Sequence, residues 1–295
     1  MIRTYRVNHK FFKEWSHDMA YVLGFWWADG WIYRNEFSIS QKTSRKYILE
    51  KILSKMGSDY PIKTRKWGVC YFKVSSKDIC QDIVRLGGKP HKSLDVGFPG
   101  VPKMFLPDFV RGYFDGDGCV CKMKDAMRSK RSGTDKFNYS VSFTSGSKIF
   151  IDALLEELRG NIIDFIGSIQ TKREKNKIVN GVLWRHERDA YVLQCGINDA
   201  RRLFGYMYNG GDLKLTEKFD CFDKIGAVVG KYLKRVFVPM ETAQAIARPL
   251  YLKNCNAWRA YARKVPTLPL NPQKVYKKKW QGWSSFLGHI VQKGE

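Results

Sequence analysis

Two stretches constrain this 295-residue chain more than anything else in it: "YVLGFWWADG" at residues 21–30 and "FVRGYFDGDG" at residues 109–118. Each is a run of large apolar side chains at helical length, broken by a glycine and closed by Asp-Gly. Gly24 precedes Asp29 by five residues, and Gly112 precedes Asp117 by five. A mid-helix glycine costs about 1 kcal/mol relative to alanine, so it needs a reason. Close approach of another backbone is one. An aspartate at a helix C-terminus also opposes the helix dipole, and a position that breaks a local rule is a candidate functional site. Asp-Gly after one helix is ordinary turn chemistry; two copies with matched glycines are not. The economical solution packs the two helices glycine to glycine across a pseudo-twofold axis. Both acids then arrive at one end, side by side. Two close carboxylates resist joint ionisation unless a cation lies between them, and hard oxygen ligands suit Mg²⁺.

The stretches downstream repeat as well. After the first Asp-Gly, Trp31–Arg34 and Glu36–Gln41 predict a hairpin about Asn35. Ser44–Met56 predicts an amphipathic helix with Ile48, Leu49, Ile52, Leu53 and Met56 on one face, stopped by Gly57. Tyr60–Lys66 and Val69–Ser75 predict a second hairpin about Trp67-Gly68. Ser76 caps a third helix carrying Ile79, Ile83 and Leu86, ended by Gly87-Gly88. The second half keeps the same order. Strands lie near Cys119–Met123 and Phe137–Thr144, and a helix Ser147–Arg159 stops at Gly160 as its counterpart stops at Gly57. Strands near Gly167–Arg173 and Ala190–Cys195 lead to a helix from about Asn198 to Tyr208. Its hairpins are extended by two polar loops, Lys124–Lys136 and Glu174–Asp189, which a fold absorbs at little entropic cost. The expected class is α+β: two pseudo-symmetric αββαββα repeats, residues 1–100 and 101–225, packed through the glycine-bearing helices, with a small basic extension at 226–295.

Charge narrows the partner. Lys and Arg number 52 against 28 acids, a net +24 spread along the chain. Such an excess repels itself and points to a polyanion; no Lys-rich amphipathic helix argues for a membrane, so nucleic acid is the expected partner. The longest apolar run, Met19–Ala28, is ten residues long, against about 20 for a bilayer span. No secretion signal opens the chain, so an intracellular place, cytoplasm, nucleoid or organelle, is expected. Seven scattered cysteines form no CxxC pair and read as reduced thiols rather than a zinc site. Residues 226–295 hold 13 Lys and Arg and only two acids, Glu241 and Glu295. Pro266, Pro269 and Pro272 predict an extended linker before "VYKKKWQGWSSFLG". Two readings stand for that end: an accessory DNA-binding module, which "LPLNPQKVYKKKWQGWSSFLG" weakly resembles through Trp280 and Trp283, or a packing helix that uses both tryptophans as core.

"LGFWWADG" and "VRGYFDGDG" resemble the paired signature of LAGLIDADG homing endonucleases in their single-chain, two-repeat form. "FFKEW...MAYVLGFWWADG", "FSISQKT" and "LTEKFDCF" resemble that family's surroundings, and the resemblance covers about residues 10–225. It implies a monomer that forms a saddle of four hairpins over double-stranded DNA. The implied activity is Mg²⁺-dependent hydrolysis of both strands at a long site, with Mn²⁺ an acceptable substitute, leaving short 3′ overhangs. Asp29 and Asp117 would each anchor a metal, with the backbone carbonyls of Ala28 and Gly116 as further ligands. Gln41 in "ISQKT" matches a polar residue beside the metal water; its second-repeat counterpart falls near Thr144 or Ser145, which breaks the symmetry. Lys92 and Lys218 match the basic residues flanking the scissile phosphates, with a solvated surface position as the competing reading for each. Base reading would fall to outward residues of Tyr33–Lys42, Lys63–Lys73, Phe137–Ser142 and Gln170–Arg173. Trp67 and Trp184 are expected to pack on the core or a sheet face. Trp26-Trp27 replace smaller residues, so the helix pair is expected splayed or repacked. The rivals on the same scaffold are an intron maturase that binds intron RNA and a DNA-binding regulator that does not cut; both tolerate loss of the acids that are present here.

Overall fold

Helices α1 (His17–Asp29) and α4 (Leu106–Asp117) form the centre of the molecule. The computed structural model describes residues 5–124, 126–134, 137–173, 177–179, 182–184, 189–227, 237–263, 265, 267–277 and 279–288. Helix α1 begins where Ser16 Oγ accepts the amide of Met19, an ordinary N-cap. The two helices meet at their glycines. A Cβ on Gly24 would overlap the Phe109 carbonyl and stand 2.9 Å from its carbon and from the Tyr113 nitrogen; a Cβ on Gly112 would meet the Tyr21 carbonyl and the Phe25 nitrogen in the same way. Only glycine lets the backbones come this close.

Each helix leads into one four-stranded antiparallel sheet of matching topology. In the first half come β1 (Gly30–Tyr33), β2 (Glu36–Lys42), α2 (Lys46–Lys55), β3 (Lys63–Arg65), β4 (Val69–Ser75) and α3 (Lys77–Arg85), with strand order β1-β2-β4-β3. In the second come β5 (Gly118–Lys124), α5 (Ala126–Ser132), β6 (Phe137–Ser145), α6 (Lys148–Asn161), β7 (Ser168–Lys172), β8 (Lys177–Val179), β9 (Val182–Trp184), β10 (Ala190–Cys195), α7 (Ile197–Met207) and α8 (Thr216–Ala227), with order β5-β6-β10-β7. Gly30 pairs with Ile39 and Gly118 with Phe143, so the two halves superpose in register. One face of each sheet is core: Phe37, Ile39, Phe72 and Val74 in the first, Val141, Phe143, Leu193 and Cys195 in the second, all fully buried. The period-2 alternation leaves the other face free. It carries Tyr33, Lys63, Arg65, Tyr71 and Lys73 on one side and Gln170 and Lys172 on the other, within the hairpins singled out in the sequence.

Several local expectations need correction. Gly160 does not stop a helix: α6 runs through it to Asn161, because nothing there demands a left-handed residue, whereas Gly57 has φ +59° and does end its helix. The basic loop after β5 contains α5, and the loop after β7 contains the hairpin β8-β9. The helix pair is not splayed by Trp26 and Trp27; both are buried, displaced outward from the glycine contact. Trp26 stacks on Phe37 and Trp27 meets Phe109 edge-on. Trp67 is neither core nor sheet packing and stands 97% exposed at the β3–β4 tip. The side chain of Trp184 and Pro266 lie outside the described residues.

The predicted proline linker is structured too. Helices α9 (Met240–Ala247), α10 (Cys255–Ala262), α11 (Pro272–Val275) and α12 (Trp283–Leu287) surround a second small core of Met240, Trp258, Leu268, Tyr276, Phe286 and Leu287. The Trp258 indole donates to the Pro269 carbonyl at 2.8 Å, and Pro272 opens α11. Trp280 and Trp283 pack on this core against Phe286. Among the described residues no helix is long and apolar enough to cross a membrane.

Candidate active site

The glycine contact sets the geometry of the acids. From it each helix runs one more turn and ends at Asp29 or Asp117, so both carboxylates emerge at one end of the pair. A Cβ on Gly116 would touch the Ala28 side chain and lie 3.2 Å from Asp29 Oδ2. The C-terminal carbonyls close through Gly30 N–H to Trp26 O and Gly118 N–H to Phe114 O.

Each helix end is then capped by a lysine from far along the chain. Lys92 Nζ donates to the carbonyls of Trp27 at 2.7 Å and Ala28 at 3.3 Å. Lys218 Nζ donates to those of Phe114 and Asp115, both at 2.7 Å, and Gly116 at 3.0 Å. Cations at helix C-termini offset the dipole, which removes the local objection to an aspartate there. Lys92 is 5% exposed and Lys218 half-buried, so neither is the solvated surface residue of the competing reading.

The electrostatics are those of four charges in a partly dry space. Burial, then the charge of Asp117, raises the Asp29 carboxyl from its ordinary 3.8 to about 6, against the lowering pull of Lys218, Lys92 and Arg45. Asp117 keeps part of its surface open to solvent, yet its carboxyl is desolvated enough to be raised as well, against Lys92 and Lys218. Burial lowers both lysines to about 8, with the two acids opposing that shift.

Gln41 and the second half differ. Gln41 Nε2 donates to Asp29 Oδ2. By sheet register its counterpart is Ser145, whose hydroxyl accepts the amide of Ser147 at 3.0 Å and hydrogen-bonds Tyr113. Among the described residues no side-chain amide hydrogen-bonds Asp117 as Gln41 does Asp29. The sequence-predicted residues Asp29, Asp117, Gln41, Lys92, Lys218, Ala28 and Gly116 lie together at this one end.

Three residues that sequence reasoning missed hold the site. Asp115, fully buried, accepts from the Tyr21 hydroxyl at 2.7 Å and the Leu215 amide at 2.8 Å, tying the segment before Lys218 to α4. Burial raises its carboxyl to about 6. At the equivalent position of α1, the Trp27 indole donates to the Gly97 carbonyl at 3.1 Å and holds the segment after Lys92. Glu217, beside Lys218, accepts from Arg45 Nε and the Tyr47 hydroxyl of the first half, each at 2.7 Å. The only sequence signal for Asp115 was the extra acid in "DGDG".

The donor set fits a hard divalent cation. Among the described residues no cluster of three or more His, Cys, Asp or Glu is present. Two crowded, desolvated carboxylates carry charge that a cation relieves. The carbonyls of Ala28 and Gly116 each accept one lysine hydrogen bond, and a carbonyl oxygen has a second lone pair. One or two carboxylates completed by other oxygens are what Mg²⁺ accepts.

The chain has the fold of the LAGLIDADG homing endonucleases. It is similar to the LAGLIDADG meganuclease I-AabMI, solved bound to uncleaved DNA, with TM-score 0.50 and 13% identity over 72% of this chain and 90% of that one. It also matches the LAGLIDADG homing endonuclease I-LtrWI bound to target DNA (TM-score 0.49, 12% identity, 90% of this chain and 99% of that one). A third match is I-SmaMI bound to uncleaved DNA with calcium ions (TM-score 0.48, 11% identity, 74% and 92%). No protein-family model matches the chain, and no curated protein matches it.

Proposed function

We propose that this chain is a site-specific endonuclease that binds double-stranded DNA across its two sheets and hydrolyses one phosphodiester in each strand, leaving short 3′ overhangs. One observation carries the reading: Asp29 and Asp117 converge at the end of a glycine-packed helix pair, with a lysine beside each. Asp29 serves one strand and Asp117 the other. Lys92 and Lys218 stabilise charge that builds on the attacked phosphate. Gln41, anchored on Asp29, keeps its amide oxygen to orient the water that attacks phosphorus. Hydrolysis forms the new P–O bond to that water and expels the 3′ oxygen, which takes a proton. Mg²⁺, with Mn²⁺ as substitute, held by the two carboxylates and the Ala28 and Gly116 carbonyls, would supply charge neutralisation and activation of water.

The fold of the DNA-bound meganuclease supports duplex DNA as partner, as does the net +24. Residues 1–100 and 101–225 act as the two half-site readers within one monomer, because one chain already supplies both acids. Residues 226–295 add affinity and site length through their basic surface. The experiment is selection: incubate the protein with a library of randomised duplexes in Mg²⁺ and sequence the cut ends. A single long consensus with a fixed stagger is expected. Recovery of no cut ends, or of cuts scattered without a consensus, would contradict the reading.

A further inference from the structure

The hairpin joining β3 to β4 turns through Trp67 and Gly68, with φ of +72° and +70°. The loop is three residues, Lys66 to Gly68, between the paired Arg65 and Val69, and its last two residues are left-handed, where glycine and asparagine are favoured. Glycine takes this geometry freely, but a bulky side chain there is a strained outlier. Strain at such a residue persists when the surroundings fix it or function retains it. The backbone is fixed: the Gly68 carbonyl accepts the Thr43 amide at 2.8 Å, and Arg65 pairs with Val69. The indole gains nothing from that. It is 97% exposed, while Trp26, Trp27 and Trp258 are at most 3% exposed. Packing therefore does not explain why the chain sets its largest side chain where asparagine is preferred.

The surroundings say what does. Lys63, Arg65 and Lys66 are exposed beside Trp67 on the same hairpin, and Arg65 lies over the Tyr71 ring at 4.3 Å on the free face of the sheet. An aromatic ring held out on a cationic tip suits a ligand that is anionic outside and flat and apolar within. We infer that Trp67 is a DNA-contacting wedge: its indole enters a groove of the duplex next to the hairpin and packs on a deoxyribose or base edge, while Lys63, Arg65 and Lys66 hold the phosphates. Apolar side chains entering grooves are an established way of gripping duplex DNA. This rests on the endonuclease reading and adds to it a named contact distant from the acids. The contact is uncharged, so it contributes affinity without counterion release.

That property makes the test specific. The probe is a fluorescein-labelled mixed-sequence DNA duplex longer than the saddle, titrated at several salt concentrations with the full chain and with Trp67→Gly, Trp67→Phe and Lys63→Ala. Trp67→Gly should weaken binding about tenfold, as removal of a stacked aromatic does, with an unchanged salt slope, and Trp67→Phe should recover part of the loss. Lys63→Ala should lower the slope by about one released ion. Trp67→Gly should also melt no lower than the parent, because it relieves the left-handed strain; a merely structural role predicts the opposite. Undiminished duplex binding by Trp67→Gly, or a melting point well below the parent, overturns the inference while leaving the endonuclease reading intact. Failure of the parent itself to bind the duplex overturns both.

Discussion

The C-terminal turns of the two central helices are built to one plan and finished differently. In the first half Asp29 is touched by Gln41, and Lys92 donates to two carbonyls. In the second, no described amide touches Asp117, Ser145 accepts the Ser147 amide instead, and Lys218 donates to three carbonyls. The connectors that carry the lysines are held by unlike groups at equivalent positions, the indole of Trp27 and the carboxylate of Asp115. The shared plan is whatever the helix contact enforces: glycines, acids, and cations at the dipole ends. The differences lie one packing layer out, where each half is free to change without parting the helices. A duplicated chain can thus keep one chemistry while its two half-sites diverge.

The largest expected effect comes from breaking the shared plan. Gly24→Ala or Gly112→Ala puts a methyl into the facing backbone. The helices cannot repack without separating, so a cost of about 3 kcal/mol is expected, at the upper end for overpacking, or roughly 10 °C in melting temperature. Both substitutions should cost alike, because the two contacts are reciprocal. Equal melting of parent and variants would remove the backbone contact from the account.

Next come the lysines. Lys92→Met and Lys218→Met should each reduce cleavage by about 10²-fold or more, and Lys218→Met should cost more stability, since three carbonyls lose a donor rather than two. Both ammonium groups are held near 8. Cleavage by the parent should therefore fall as pH rises through about 8, and Lys218→Arg should weaken that fall. Stability moves the other way. A lysine lowered by folding opposes the folded state while charged, so stability rises from about pH 8 toward 10.5. Asp29, raised to about 6 from 3.8, contributes stability below pH 3.8 and loses it as pH climbs through 6. Mg²⁺ at neutral pH should restore melting temperature in the parent, and less so in Asp29→Asn.

Smaller still is the contrast between the halves. Gln41→Ala should slow cutting of one strand about tenfold or more, so that nicked plasmid accumulates, whereas Ser145→Ala should leave the strand ratio unchanged and lower only stability, through the loss of its hydrogen bond from the Ser147 amide ahead of α6. Equal slowing of both strands by Gln41→Ala would make the asymmetry structural only. The smallest expected effect is a gain. Gly160→Ala lies within α6 with open space around its added methyl, so it should stabilise the protein by up to about 1 kcal/mol, against the loss at Gly24 and Gly112.

Legibility in the sequence tracks the range of each interaction. Helices, hairpins and the pairing of the signatures came through, because periodicity and turn residues are local and the duplication printed them twice. The acids were legible because they break a local rule. Gly160 misled because a glycine near a helix end reads as a stop, while only its φ decides, and φ depends on how the chain continues beyond it. The capping by Lys92 and Lys218 joins residues more than 60 positions from their carbonyls, and no local pattern announces it. The roles of Trp27, Asp115 and Glu217 were hidden for the same reason. Trp67 was misread because aromatic residues are usually buried, and nothing local marks the exception. The proline-rich segment read as linker because its packing partners, Trp258 and Phe286, are elsewhere in the chain.

The central claim is that Asp29 and Asp117 carry the chemistry in separate half-sites while DNA is held elsewhere. It is tested most directly with Asp29→Asn and Asp117→Asn on a supercoiled plasmid carrying the selected site, with nicked and linear products resolved on a gel and binding measured in parallel without metal. Each variant should bind at least as tightly as the parent, because a negative charge near phosphate is gone, and each should lose double-strand cleavage in Mg²⁺ by orders of magnitude. Residual nicking, if it survives, should fall on opposite strands in the two variants. Full linearisation by both would contradict the claim and leave the fold without these carboxylates in its mechanism.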